Sequence, residues 1–418
     1  MAVTLPRADG DDSARLRAAG RGSAFGSDCA IWHPESVGGR IESLDGLRGV
    51  AALSVLIGHA MWVTPAFADA VQLSNAGEAD FITALFTYTP LHLAWLAREA
   101  VIVFFVLSGF VLARPFLSRG RSYGAYYPQR VIRLAVPAWA ALAVAALIAV
   151  MLYPTTGTPH SELLASQVAP HVEWGDFAGA WLIGGAPQVL LPLWSLKWEI
   201  AFSLLLPLYV LIARWAVGVW KGGAVAVVCL GLSAAGTYFS VDELAYLPTF
   251  MLGCLVASNQ QAITRRIRDS RATWLGVGSL IALAAGWYPR GVSDSTMLTG
   301  AGQVLSIVGA AGVVIAALTW RGFAHALSGS RAMLWLGDRS FSLYLVHFPV
   351  IMVAAFLTLG ENLAITLGIG LPVSLLVAEV FFRTVEKPST DLARMVKRRL
   401  ASKSSAAEAE APAAQRQS

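Results

Sequence analysis

The chemistry open to this sequence is concentrated in a few polar residues set within long apolar stretches. Arg48 and His59 stand eleven residues apart in one such stretch. At 3.6 residues per turn this spacing returns to within about 20° of the same face, after a rise of about 16.5 Å. One helical stripe then carries a guanidinium at its mouth and an imidazole deep along it. A second stretch opens Trp194-Ser195-Leu196-Lys197-Trp198-Glu199. Glu199 falls about 10 Å below Pro192 and His59 about 9 Å below Pro65, so equal depth suggests a carboxylate–imidazole pair. Lys197 and Glu199, two residues apart, do not share a helical face. Arg130 and Arg133, at i and i+3, are helical neighbours, and adjacent guanidiniums suit phosphate capture. Tyr344 and His347 share a face in the same way, with His347 expected roughly 10 Å into its span. Ionisable groups inside an apolar span are costly enough to raise a functional hypothesis. The bland alternatives are a histidine bonded to a neighbouring helix for packing, a structural Lys197–Glu199 contact, and basic residues that only mark one membrane face.

The elements that must position these groups are membrane helices. Of 418 residues, 56% are hydrophobic and 14% charged, against roughly a quarter charged in a soluble domain. Mean hydropathy is +0.60. A single soluble domain and a disordered chain are both excluded. About ten stretches approach the roughly 20 residues that a crossing needs: 47–64, 98–116, 132–153, 192–213, 223–239, 242–258, 273–289, 299–319, 340–359 and 362–382. The stretch 81–97, interrupted by Pro90 and His92, reads as an interfacial or re-entrant piece. Residues 1–40 and 391–418 read as tails around a membrane domain at 41–390, the first span acting as a signal-anchor, and Ala401–Ser418 as low-complexity and disordered. With the N-terminus inside, 28 of the 31 Lys and Arg residues fall on the cytosolic side, leaving Arg98 and Arg290 outside and Lys197 within a span. The positive-inside rule thus places both termini in the cytosol. The net charge of +5 then reflects a face beside anionic lipid rather than a nucleic-acid surface. Three scattered cysteines and seven histidines without metal-ligand spacing suggest neither a disulfide framework nor a metal site. Phe104 to Phe110 reads mainly as packing, with Ser108 and Gly109 allowing close helix approach, and Glu379 faces no evident partner.

Taken in order along the chain, these positions resemble the membrane-bound acyltransferase 3 family, the bacterial polytopic O-acyltransferases, over about residues 41 to 390. Arg48 and His59 match its Arg/Lys-x10-His motif, preceded by Leu44-Asp45-Gly46-Leu47. Phe104 to Phe110 matches an FFVLSGF helix, Arg130 and Arg133 a paired-arginine motif, and Trp194 to Glu199 a WSLxxE motif. Gly337 to Pro349 resembles the late segment that ends in Tyr-x-x-His-x-Pro, and Glu386-Lys387-Pro388 the closing Glu-Arg/Lys-Pro. Two features depart from the pattern. Leu134-Ala135-Val136-Pro137 is less aromatic than usual, and no SGNH-type esterase domain is expected after the spans.

The resemblance implies an all-α polytopic protein of a bacterial inner membrane that moves an acyl group from cytosolic acyl-CoA to a hydroxyl. Acetyl-CoA is the expected donor and an envelope glycan or related molecule the expected acceptor, with no bound cofactor. His59 is then the general base or nucleophile and Glu199 orients its ring. Arg48, Arg130 and Arg133 take the CoA phosphates, supported by Asp45, Ser195, Lys197, Tyr344 and His347. The outer loop 154–192, with His160, His171, Glu173, Trp174, Asp176 and Trp181, is expected to meet the acceptor. A transporter or flippase of a small solute or lipid-linked glycan is the competing class, against which the lack of a visible inverted repeat counts. A membrane assembly partner without chemistry is a third.

Overall fold

The computed structural model describes residues 40–72, 79–119, 123–152, 190–267, 269–292, 296–358 and 363–414. Among these residues all regular structure is helical. The helices are α1 (Glu42–Met61), α2 (Pro65–Gln72), α3 (Phe81–Thr87), α4 (Ala97–Arg119), α5 (Tyr123–Leu152) and α6 (Leu193–Trp215). They continue as α7 (Val219–Tyr238), α8 (Asp242–Ser258), α9 (Gln260–Arg266), α10 (Asp269–Val292), α11 (Thr296–Thr319) and α12 (Arg321–Ser328). The last three are α13 (Arg331–Thr358), α14 (Leu363–Phe381) and α15 (Lys387–Ala414).

Each of the ten expected spans is a helix. Eight are long and apolar enough to cross a bilayer: α1, α4, α5, α6, α7, α11, α13 and α14. Of the other two, α8 has 17 residues, and α10 dilutes its apolar content with Gly, Ser, Trp and Tyr. The chain is therefore a multi-pass membrane protein. The stretch 81–97 resolves into α3, a 3-10 turn at Pro90–Trp95 and the start of α4, too short before α4 to cross. Two helices differ from expectation. The backbone of α15 continues through Ala414, a segment whose composition suggested a tail without structure. The start of α13 lies at Arg331, nine residues before the expected start of its span.

Helix α1 is the hub, packing against α4, α11, α12, α13 and α14. Its first turn carries Glu42 and Asp45, and its last carries His59. Carboxylates at a helix N-terminus complement the macrodipole. Two glycines let α1 and α13 approach at backbone distance. A Cβ on Gly49 would lie 2.7 Å from the Gly337 nitrogen. This contact sets Asp45 and Arg48 of α1 beside Asp338 and Arg339 of α13. Small residues do this in membranes because packing, not burial from water, holds the helices together.

A π-helical segment, Phe382–Glu386, joins α14 to α15 without a break. Such segments, with their wider hydrogen-bond ring, are frequent at functional sites. Here it turns Glu386 inward, where the carboxylate accepts a hydrogen bond from the Ser342 amide at 3.0 Å and another from the Ser342 hydroxyl. An aromatic core of Phe105, Phe202 and Phe250, with ring centroids 4.4–4.6 Å apart, fixes α4, α6 and α8 together.

Candidate active site

A cavity of about 690 Å³ opens at the end of the bundle where α1 and α13 come together. It falls within the range of small-molecule and cofactor pockets. Seven cationic side chains line it: Arg40, Arg48, Arg130, Arg133, Arg339, Lys387 and Arg394. Five carboxylates oppose them: Asp45, Glu199, Asp338, Glu386 and Asp391. The cations outnumber the acids, so the cavity favours an anion.

Most of these cations are already engaged. Arg40 is paired with both Asp45 and Asp338, which ties the start of α1 to α13. Arg130 is paired with Glu199 and reaches Ser203 at 3.1 Å. Arg339 meets Glu379 at 2.5 Å, between the rings of Trp335 and Phe382. Arg394 meets Asp391 at 3.0 Å. Arg48 has only a 3.6 Å contact to Asp45. Arg133 and Lys387 are exposed to the cavity and have no carboxylate within 4 Å among the described residues. Arg48, Arg133 and Lys387 are therefore the cations available to an incoming anion.

Away from the mouth the lining changes character. Val101, Phe104, Phe105 and Leu196 make an apolar inner end, interrupted by the hydroxyls of Ser195 and Tyr344. Behind Tyr344, outside the cavity, is an imidazole pair. His59 Nδ1 stands 2.7 Å from His347 Nε2, with the rings parallel and their centroids 5.0 Å apart. His59 is 5% exposed and His347 fully buried. Trp62 and Phe348 close over His59 edge-on.

The hydrogen bonds fix the tautomers. His347 Nδ1 lies 2.9 Å from the Leu343 carbonyl, which can only accept, so this nitrogen carries the proton. In the neutral pair His347 Nε2 is then a lone pair, and His59 Nδ1–H donates to it. His59 Nε2 is left as a free lone pair, the form required of a general base or nucleophile.

This arrangement revises the expected partnership. Glu199 is not beside His59; it accepts from Ser108 at 3.0 Å and is held by Arg130. The two are not level: Glu199 lies one turn from Ser195 toward the basic end, whereas His347 and its partner His59 lie one turn beyond Tyr344 on the other side of the Ser195–Tyr344 bond, and Glu199 projects into the cavity while His59 faces α13. His347 is deeper than expected, because α13 begins at Arg331. Sixteen residues on, it stands about 24 Å along the helix, level with His59. The Arg48 stripe does run toward His59 on one helix, yet the cavity stops at Tyr344, short of the imidazole. Arg130 and Arg133 differ in state, the first neutralised and the second free. Lys197 lies over the Trp198 ring at 4.3 Å and does not line the cavity. Glu379 has two partners, Arg339 and Arg383, each at 2.5 Å.

Ser108, Glu386, Lys387 and Arg394 belong to the site without having been singled out for it. Ser108 read as a packing residue, yet it bonds Glu199. The mouth residues of α15 lay at the edge of an expected tail. The outer-loop residues from His160 to Trp181 lie outside the described residues.

A multi-pass helical protein that sets a cation-lined cavity next to a buried imidazole pair has the parts to hold an anionic ligand beside a base. The chain belongs to the acyltransferase 3 family, whose model, described as an acyltransferase domain, matches residues 41–383. It is 28% identical over 223 residues to the O-acetyltransferase OatA of Staphylococcus aureus, covering 49% of this chain. That match spans only 36% of the relative, so this chain corresponds to about a third of it. It is 27% identical over 356 residues to the acyltransferase MdmB of Streptomyces mycarofaciens, covering 77% of this chain and 82% of the relative. No solved structure matches the chain.

Proposed function

We propose that this protein is a membrane O-acyltransferase that takes an acyl group from acyl-CoA at its basic end and transfers it to an acceptor hydroxyl. The observation that carries the proposal is the His59–His347 pair, buried directly behind a cation-lined cavity and left with one free lone pair on His59 Nε2. Arg133, Lys387 and Arg48 suit the phosphates of the donor. The apolar inner end suits the thioester and a short acyl chain.

His59 Nε2 takes the proton of the acceptor hydroxyl as its oxygen forms a bond to the thioester carbon. The tetrahedral oxyanion collapses, the carbon–sulfur bond breaks, and the departing thiolate takes the proton back from the imidazolium. Throughout, His59 Nδ1–H donates to His347 Nε2, and this bond strengthens as His59 becomes charged. No metal or resident cofactor enters; acyl-CoA is a substrate.

The name O-acetyltransferase borne by a relative supports acetyl as the group. The positive-inside reading puts the basic end in the cytosol of a bacterial inner membrane, where acyl-CoA is made. His59 then lies toward the outer face, which suits an envelope glycan acceptor.

Thiol release from acetyl-CoA, measured in membranes with and without an envelope-glycan extract, tests the proposal. Wild type should release thiol with the extract, and His59→Ala at equal expression should not. Absence of release from wild type with extract supplied would overturn it and return weight to a transporter.

A further inference from the structure

The cavity ends one helical turn short of the imidazole pair. Its innermost polar groups are Ser195 on α6 and Tyr344 on α13, whose hydroxyls are bonded to each other at 2.6 Å. The Pro192 carbonyl lies 3.2 Å from Ser195 Oγ and 3.5 Å from Tyr344 Oη. Ser195 donates to that carbonyl and so accepts from Tyr344. Both residues are buried. The Tyr344 ring packs on Phe104, centroids 5.7 Å apart, and its other neighbour is the His347 ring at 6.0 Å. The partition between cavity and imidazole pair is thus one side chain thick. The hydroxyl–hydroxyl bond to Ser195 is the short tie that holds it in place, beside the longer contact to the Pro192 carbonyl.

The helix that carries this side chain is built to bend there. Pro349 lies inside α13, five residues past Tyr344. It has no N–H, so the Leu345 carbonyl loses its helical donor one residue after the tyrosine. Kinks concentrate where the hydrogen-bond ladder is interrupted in this way.

We propose that Tyr344 is a gate, latched by Ser195, that separates the donor cavity from His59 and must open for the acyl group to pass. Closed, it shuts the imidazole pair off from the cavity. Open, it frees the Tyr344 O–H from Ser195 to donate to an arriving thioester carbonyl, while Ser195 keeps its bond to the Pro192 carbonyl. What opens the gate rests on the reading of the cavity as the donor site. The closed state itself does not, because it is a property of the bundle.

Cysteine accessibility tests this without turnover. In a background with Cys29, Cys229 and Cys254 replaced by alanine, His59→Cys is labelled with a charged methanethiosulfonate reagent in sealed vesicles. Arg48→Cys, which lines the cavity, identifies the vesicle orientation in which the basic end faces the reagent. With the latch intact, His59→Cys should react roughly 10- to 1,000-fold more slowly than Arg48→Cys, as expected of an open state populated at about 0.1–10%. Adding Tyr344→Ala should raise the His59→Cys rate by about tenfold or more and leave the Arg48→Cys rate unchanged. Ser195→Ala, which keeps the ring and removes only the latch partner, should raise it too, and serves if the tyrosine variant does not fold. Labelling of His59→Cys as fast as Arg48→Cys with the latch intact would overturn the gate. So would a rate that neither variant changes. A functioning gate in a protein that releases no thiol would refute the acyltransferase reading and leave the gate standing.

Discussion

Replacing His347 isolates the contribution of the second imidazole. His347→Leu keeps an apolar side chain of similar reach and deletes the Nε2 acceptor, so His59 Nδ1–H loses its partner. A hydrogen bond to a group that becomes charged contributes about 1.5–3 kcal/mol. At about 1.36 kcal/mol per tenfold, this is a loss of about 10- to 160-fold in kcat. The Michaelis constant for acyl-CoA should barely move, because His347 does not line the cavity. His347→Gln can place an amide oxygen near the lost nitrogen and should recover part of the rate. The assay is initial-rate thiol release at saturating acetyl-CoA and acceptor, with melting temperature followed alongside. Stability should fall by about 1–3 kcal/mol in the leucine variant, since a buried donor is left unpaired. A leucine variant that keeps kcat within about twofold would refute the tautomer argument. A glutamine variant no better than leucine would show that the bond, as drawn, is not what supports His59.

The two arginines of the RxxR pair should separate kinetically. Arg133→Ala should raise the KM for acyl-CoA by about 5- to 20-fold with little change in melting temperature, because its guanidinium is unpaired in the cavity. Arg130→Gln should instead destabilise the protein by roughly 2–4 kcal/mol by stranding Glu199, and the double variant with Glu199→Gln should recover most of that in denaturation experiments. Phe104→Ala should widen the inner end of the cavity and favour longer chains. At about 0.8 kcal/mol per buried methylene, the butyryl-to-acetyl ratio of kcat/KM should rise roughly 15-fold. Gly49→Ala places a methyl against the Gly337 backbone and should cost about 1–3 kcal/mol through forced separation of α1 and α13, read as a lower melting temperature in detergent.

The helices were legible because apolar runs of membrane length have few other uses. His59 was legible because a lone imidazole in such a run is costly. Its partner was not, and the reason is geometric. Depth along a helix follows from counting residues, but the direction in which a side chain projects across the bundle depends on which helices are neighbours. Counting from Pro65 and Pro192 makes Glu199 and His59 look level, yet they lie on opposite sides of the Ser195–Tyr344 bond and face different partners. His347 was misplaced for a related reason. Asp338 and Arg339 look like the end of a membrane span, yet pairing with Arg40 and Glu379 lets the helix carry them and start at Arg331. Ion pairs across helices are invisible to a reading made one helix at a time. The same limit hid the difference between Arg130 and Arg133, which spacing presents as equivalent.

Six of the helices around the site carry an internal proline: α4, α5, α6, α8, α13 and α14. Helix α1 carries none. Its rise from Arg48 to His59 is therefore a constant of about 16.5 Å, whatever its neighbours do. Under the proposed function, a constant length between a cationic anchor and a reactive nitrogen acts as a gauge. A donor whose anionic group and thioester are separated by much less cannot engage both ends at once. Such a donor is excluded by measurement rather than by any contact with its distinguishing atoms. Selectivity of that kind resides in the number of residues between two positions rather than in the identity of any one side chain in between.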